Sequence, residues 1–336
     1  MRIISCIKPG QLEYREVPEP VCLPGYSIIK IRRIGICGTD IHAFGGTQPY
    51  FNYPRVLGHE LAAEFVEGDA PRLRKGDRVT VIPYQHCGKC IACRSGHTNC
   101  CQHMQVIGVH ADGGMAELLM VPSRLVLSAE GMDPDRLALV EPFAIAAHGV
   151  RRAAVLPQEN VLVVGAGPIG LATMEMAAIT GAHVLAVDVN DNRLARAKKI
   201  AGVKAAFNAQ DDHLEAKIRA ATDEDMPTVV IDATGNLHAI NNAFRFMSHA
   251  GRYVLVGLQK GDITFSHPEF HKREGTLLSS RNATRKDFDW VLENIRTGRI
   301  TPEKYITHHI HFNDIVEEFP SLIADAGLVK AMISLD

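Results

Sequence analysis

A chain of 336 residues, 46% hydrophobic and 22% charged, is folded, large enough for two domains, and neither disordered nor fibrous. Its formal net charge of -2 supplies no overall attraction to nucleic acid or to an anionic membrane.

The opening MRIISCIKPGQLEYREV alternates apolar and polar residues and reads as a first strand, without the apolar core and small-residue cleavage site of a secretion signal. Further short β-like runs, YSIIKIRRIGI, GDRVTVIPY and MAELLMVPS, follow between Gly and Pro and predict an irregular β-rich domain. All eight cysteines lie at or before Cys101. Four of them, Cys87, Cys90, Cys93 and Cys101, form C-x2-C-x2-C-x7-C in a Gly/Lys/Asn-rich loop. Four thiolates so spaced can close a tetrahedral structural zinc site, with Cys100 a bystander that could replace Cys101. A second set is dispersed: Cys37 in GICGTDIH, His59 and Glu60 in LGHE, and Glu141 in LVEP. Singly, each fits a buried cysteine or a satisfied polar residue. Together they offer a thiolate, an imidazole and carboxylates, a mixture suited to an open catalytic zinc. Spacing alone leaves open whether they converge.

Near Asn160 the texture changes. NVLVV is a fully apolar run suited to a parallel strand buried on both faces, and a helix-like segment ending at Gly181 follows it. HVLAVD, TVVIDA and GRYVLVG read as strands, alternating with helices over NDNRLARAKKI, opened by Asn190, and NLHAINNAFRFM. That alternation predicts βαβ units in a doubly wound parallel sheet. After it come the strand-like TLLSS, a helix over KDFDWVLENIRTG and a mixed tail. No stretch is long and apolar enough for a membrane span: Pro168 to Ile179 is interrupted by Glu175. The turn Gly165-Ala166-Gly167-Pro168-Ile169-Gly170 lies between strand and helix, where Gly165 allows the bend, Gly167 backbone approach to a pyrophosphate, and Gly170 close packing. The helix N-terminus adds unpaired N–H groups. Asp188 ends the next strand, where its carboxylate can accept from ribose hydroxyls and would repel a 2′-phosphate, so NAD is expected rather than NADP.

GICGTDIH, LGHE, the four-cysteine loop and GAGPIG with its distal Asp188, in that order, resemble the zinc-containing medium-chain alcohol dehydrogenase family over nearly the full length. LVEPFAIAAH, HAFGGTQPYFNYPRVLGHE, TNCCQHMQVIGVHADGG and SSRNAT are similar to its polyol and sugar-acid branch, in particular bacterial hexonate 5-dehydrogenases. The resemblance implies an α/β fold. A GroES-like β-rich catalytic domain would occupy residues 1–147 and 286–336, and a Rossmann NAD domain residues 148–285, with the active site in the cleft. It implies two zincs per chain. Cys37 and His59 become ligands of the catalytic one, and Glu60 and Glu141 compete equally for the third protein position. Thr39 and His42 become a proton relay, and Arg193, Thr234, Val256 and Leu258 join the cofactor contacts. Arg281 and Asn282 become substrate residues, the guanidinium fork holding a carboxylate or hydroxyls, although Arg281 fits a surface ion pair as well. Gln48, Tyr50 and Phe51 would line the same pocket. The expected reaction is oxidation of the C5 hydroxyl of L-galactonate or L-gulonate to tagaturonate or fructuronate. A sorbitol-type polyol dehydrogenase is the alternative, and a non-catalytic zinc- and NAD-binding protein is less favoured. The expected protein is cytoplasmic, binds neither nucleic acid nor membrane, and forms a homodimer or homotetramer through strands near YVLVG and DITFS.

Overall fold

The computed structural model describes residues 1–48, 51–129 and 131–335. The chain forms two compact units, Met1–Glu141 with Thr284–Asp336, and Pro142–Ala283.

In the first unit the opening segment is a hairpin rather than one strand. Arg2–Lys8 pairs antiparallel with Gln11–Glu16, because Pro9 and Gly10 break the alternation with a turn. The long strand Tyr26–Gly35 organises a seven-stranded sheet. It pairs antiparallel with Glu60–Gly68, with Leu118–Pro122, and at its far end with Lys330–Ser334. Its Ile28, Ile29, Ile31 and Ile34 are buried, whereas Lys30 is exposed. The register sets Gly35 opposite both Glu60 and Met332, so three chain segments meet at one sheet position.

The expected β-rich run ends earlier than its length suggested, because Pro134–Ala138 and Val140–Arg152 are helices. In the latter, Phe143, Ala144, Ala147 and Val150 form a buried stripe at helical spacing. Pro142 sits in its first turn, where a missing N–H leaves no bond unmade. The mixed tail holds another helix, Ile315–Ala324, which tolerates Pro320 in its interior.

The second unit holds a six-stranded sheet, parallel throughout. Across it the strands run Ala205–Asn208, His183–Asp188, Asn160–Val164, Val229–Asp232, Arg252–Leu255 and Thr276–Ser279, third-second-first-fourth-fifth-sixth in chain order within the unit. Val161, Leu162 and Val163 in the centre are fully buried, as an uninterrupted apolar strand covered on both faces must be. The chain reverses its winding direction beside Asn160–Val164, which opens a crevice at the carboxyl ends of the strands. Ala205–Asn208 and the helix Leu214–Ala221 have no counterpart in the sequence reading, since AAFN is short and only half-buried. DITFS forms no strand: residues 262–266 are irregular and Thr276–Ser279 is the sheet edge. The strand expected over DITFS is therefore not formed.

Candidate active site

Cys37 follows the strand Tyr26–Gly35 and caps the helix Gly38–Phe44. The cap is made by Asp40, whose Oδ2 accepts from the Cys37 N–H at 2.8 Å. The other Asp40 oxygen accepts from the Gly58 N–H at 3.2 Å and lies 3.9 Å from His59 Nδ1. One buried carboxylate thus fastens the Cys37 turn to the His59 loop. Glu60 opens the partner strand opposite Gly35, where a Cβ would lie 2.0 Å from Glu60 Oε2, so only glycine fits there. Lys330 begins the strand Lys330–Ser334 and donates to Glu60 Oε1 at 2.6 Å, to Oε2 at 2.7 Å and to the Ile36 carbonyl at 3.0 Å. Glu141, in the first turn of Val140–Arg152, accepts at Oε1 from the Tyr84 hydroxyl.

These groups suit a cation. The ligand atoms of Cys37, His59 and Glu60 lie within 4.8 Å of one another, with Glu141 outside that set. His59 Nδ1 is buried without a hydrogen-bond partner. Burial pushes the Asp40 and Glu141 carboxyls above the usual range. Burial alone would push the His59 imidazole down, but the Cys37 sulfur, then Asp40 and Glu141, hold it well above its ordinary value. A buried cluster with more acids than cations takes up protons, and a divalent ion would replace them. Sulfur, nitrogen and oxygen donors together fit zinc.

The four-cysteine loop closes on itself. The sulfurs of Cys87, Cys90, Cys93 and Cys101 lie within 4.8 Å of one another, with Cys90 3.5 Å from Cys93 and 3.9 Å from Cys101. Zinc–sulfur bonds of about 2.3 Å in a tetrahedron require sulfurs about 3.8 Å apart, so these spacings fit a structural zinc. Backbone N–H groups of Cys87 and His103 donate to Cys101 Sγ, both at 3.3 Å. The Cys93 and Gln102 N–H groups draw the Cys90 thiol down to about 6. Cys100 is exposed and outside the group.

Thr39 and His42 lie three residues apart on the helix Gly38–Phe44, hence on neighbouring turns of one face. Thr39 is half-buried and His42 exposed, with His42 Nδ1 2.9 Å from Thr47 Oγ1.

In the second unit Gly167 caps the helix Pro168–Ile179 and Pro168 occupies its first position. A Cβ on Gly170 would lie 1.9 Å from the Gly165 carbonyl oxygen, and one on Gly165, at φ 99, would lie 2.9 Å from Thr234. A Cβ on Gly167 would meet nothing within 4 Å. The turn's own packing therefore demands glycine at 165 and 170 but not at 167, where the free space suits a pyrophosphate. Asp188 also braces this turn, which the sequence did not signal: Oδ2 accepts from Ala166 N–H at 2.6 Å and Oδ1 from Asn190 N–H at 2.8 Å. Each oxygen keeps a lone pair for a ribose hydroxyl. Ile169 is half-buried, and Arg193 is exposed on the helix that Asn190 caps. Thr234 Oγ1 donates to Asp232 Oδ1 at 2.6 Å. Thr234, Val256 and Leu258 all follow carboxyl ends of strands, the same side as Gly165 and Asp188. Arg281 and Asn282 follow the edge strand, Asn282 at φ 53. Phe51 packs edge-on to Tyr53 with centroids 4.8 Å apart, and Gln48 is half-buried. Tyr50 lies outside the described residues.

Four site residues escaped the sequence reading: Gly35, Asp40, Tyr84 and Lys330. Asp40 stood in GICGTD as an acid three residues after a helix cap, a legible signal. For Lys330 the hint was one cation within the apolar run LVKAMI, and for Gly35 and Tyr84 there was none.

Residues 23–131 match the alcohol dehydrogenase GroES-like domain and residues 168–297 the zinc-binding dehydrogenase family. The chain is 44% identical to an L-galactonate-5-dehydrogenase of Escherichia coli K12, covering 99% of each protein. It is 32% identical to an L-idonate 5-dehydrogenase of Vitis vinifera, over 94% of this chain and 91% of that one. A crystal structure of the RspB alcohol dehydrogenase of Escherichia coli CFT073, complexed with NADH, superposes with a TM-score of 0.93 at 32% identity, covering 100% and 99% of the two chains. The fold, the two donor clusters and these likenesses agree: the chain belongs to the zinc-containing medium-chain alcohol dehydrogenase family.

Proposed function

We propose that this dehydrogenase oxidises the C5 hydroxyl of a hexonate such as L-galactonate or L-gulonate, giving tagaturonate or fructuronate, with NAD as hydride acceptor. The observation carrying the chemistry is the buried Cys37–His59–Glu60 donor set. The substrate class is supported by the likeness to an L-galactonate-5-dehydrogenase.

Cys37, His59 and Glu60 would hold the zinc, with Glu141 the alternative carboxylate, and the metal would supply a Lewis acid that makes a nearby alcohol more acidic. In this reading the Thr39 hydroxyl takes the substrate proton as it passes its own through the nicotinamide ribose to His42, which is exposed, held at one ring nitrogen by Thr47, and releases the proton to solvent. The N-terminus of Pro168–Ile179 and the open space over Gly167 receive the cofactor pyrophosphate. Asp188 takes the ribose hydroxyls and disfavours a 2′-phosphate, Arg193 lies near them, and Thr234, Val256 and Leu258 flank the nicotinamide side. Arg281 and Asn282 hold the substrate carboxylate and neighbouring hydroxyls.

The same reading makes the enzyme a cytoplasmic homodimer or homotetramer. Thr276–Ser279 ends its sheet among the described residues, with Leu277 38% exposed, and a second copy could continue that edge. No helix among the described residues is long and apolar enough to cross a membrane.

The test is NADH formation by zinc-loaded protein on a panel of L-galactonate, L-gulonate, other aldonates, sorbitol, xylitol and simple alcohols. Turnover confined to one or two hexonates is expected. Turnover on neutral polyols alone would overturn the substrate assignment and leave the reaction class standing.

A further inference from the structure

Glu60 lies beside a metal position, yet its charge is already answered. One ammonium, Lys330 Nζ, bonds both of its oxygens at nearly equal distances, 2.6 and 2.7 Å, and the Ile36 carbonyl at 3.0 Å. The three donors of Lys330 are thereby spent inside the protein. Lys330 is 4% exposed and Glu60 0%, so solvent relieves neither charge. A carboxylate offers about four lone-pair sites, and two equal bonds to one ammonium engage the inner pair on each oxygen. A cation between Cys37 and His59 must use an outer pair, on a carboxylate that Lys330 has largely neutralised. On one side the carboxylate lies against the Gly35 backbone, with Oε2 2.0 Å from where a Cβ would stand, which bars it from turning that way. Glu141 is held differently: its partner, the Tyr84 hydroxyl, is neutral and bonds Oε1 alone.

A catalytic zinc needs a position that opens, in contrast to the closed four-cysteine site. We propose that Lys330 is a positioning residue that keeps Glu60 an exchangeable metal ligand, so that a coordination position becomes free when the substrate hydroxyl arrives. This rests on the reading that Cys37, His59 and Glu60 hold the catalytic metal. Without the Lys330 charge, Glu60 is a buried, unanswered carboxylate and the metal becomes its counter-ion, bound through the inner pairs.

The experiment uses the full chain with cobalt in the Cys37/His59 site and zinc retained in the four-cysteine loop. Lys330→Met is expected to lose cobalt to dipicolinate about tenfold or more slowly than the wild type, with shifted visible cobalt bands. Lys330→Gln, which keeps a neutral donor on a shorter side chain, should change in the same direction and answers the question if Lys330→Met does not fold. Adding Glu60→Gln should restore fast release, and Lys330→Arg should keep the wild-type bands. A merely structural Lys330, tying the last strand to Ile36, predicts a lower melting temperature, unshifted bands and unchanged or faster metal loss; that result overturns the proposal. A His59→Ala protein that retains the cobalt bands would instead sink the underlying ligand assignment.

Discussion

Gly35→Ala is a single added methyl group whose sign the structure determines. Gly35 is absent from the positions with positive φ, so its backbone conformation is open to any residue. With free space around it, alanine would restrict the unfolded chain and stabilise by about 0.4–1 kcal/mol. The space is taken. The new Cβ would lie 2.0 Å from Glu60 Oε2, 3.0 Å from Glu60 Cβ and 3.1 Å from Glu60 Cδ, so the carboxylate must move by more than about 1 Å to reach van der Waals distance. Movement is resisted by Lys330, which holds both oxygens. Overpacking of this kind costs about 1–3 kcal/mol. For a cooperative unit of 150–250 residues that lowers Tm by about 2–12 °C, at roughly 2–4 °C per kcal/mol. The displaced carboxylate should also change metal retention, which thermal stability alone would not reveal. Thermal melts are therefore read alongside zinc content after dialysis against a weak chelator. Expected are a lower Tm and a catalytic zinc lost at a different rate from the wild type. A protein with raised Tm and wild-type zinc retention would refute the close approach of Glu60 to Gly35.

Asp188→Asn removes the charge that opposes a 2′-phosphate while keeping one acceptor; kcat/KM should fall with NAD, rise relative to it with NADP by about tenfold or more, and no relative gain would sink the ribose assignment. NAD use should fall partly because Asp188 also braces Ala166 and Asn190. Cys90→Ser should reduce zinc from two equivalents to one per chain and lower Tm, since a closed four-thiolate site contributes to folding directly; two zincs retained would show that the loop is not a metal site. Arg281→Ala should lower kcat/KM on aldonates by about 10-fold to 100-fold while sparing neutral polyols, the difference expected of a charge-assisted carboxylate contact. Equal losses on both classes would remove Arg281 as a carboxylate clamp.

Legibility from sequence followed the range of the interaction. NVLVV, HVLAVD and the glycine turn between them are local: an apolar run buried on both faces and a bend that only glycine tolerates each carry their signature within a few residues. The four cysteines are local too, spanning one short loop, and their sulfurs meet at tetrahedral spacing. AAFN failed because an outer strand of a parallel sheet, half-buried throughout, lacks the continuous apolar run that marks the centre. Val140–Arg152 was obscured by its context, following a long β-rich stretch with LVEP at its start, although FAIAAHGV holds a helical stripe. DITFS has strand composition but pairs with no strand among the described residues, and composition does not distinguish a paired strand from an extended loop.

The cluster of Cys37, His59, Glu60 and Lys330 is the opposite case, since its assembly depends on sheet register. Gly35 ends one strand, Glu60 begins the antiparallel neighbour directly opposite, and Met332 lies across from Gly35 on the other side. A one-residue slip in either pairing would turn Glu60 or Lys330 to the other face of the sheet. Lys330 and Glu60 are 270 residues apart in sequence, joined by two hydrogen bonds that no spacing rule could anticipate. On the proposal above, the final strand has a chemical role as well as a structural one. It closes the first unit after the whole NAD domain has intervened, and it delivers the one cation that meets Glu60 in the described structure. Any change that detaches Lys330–Ser334 from Tyr26–Gly35 should disturb metal retention before it disturbs the dinucleotide turn, because Gly165, Gly170 and Asp188 draw their contacts from within the second unit.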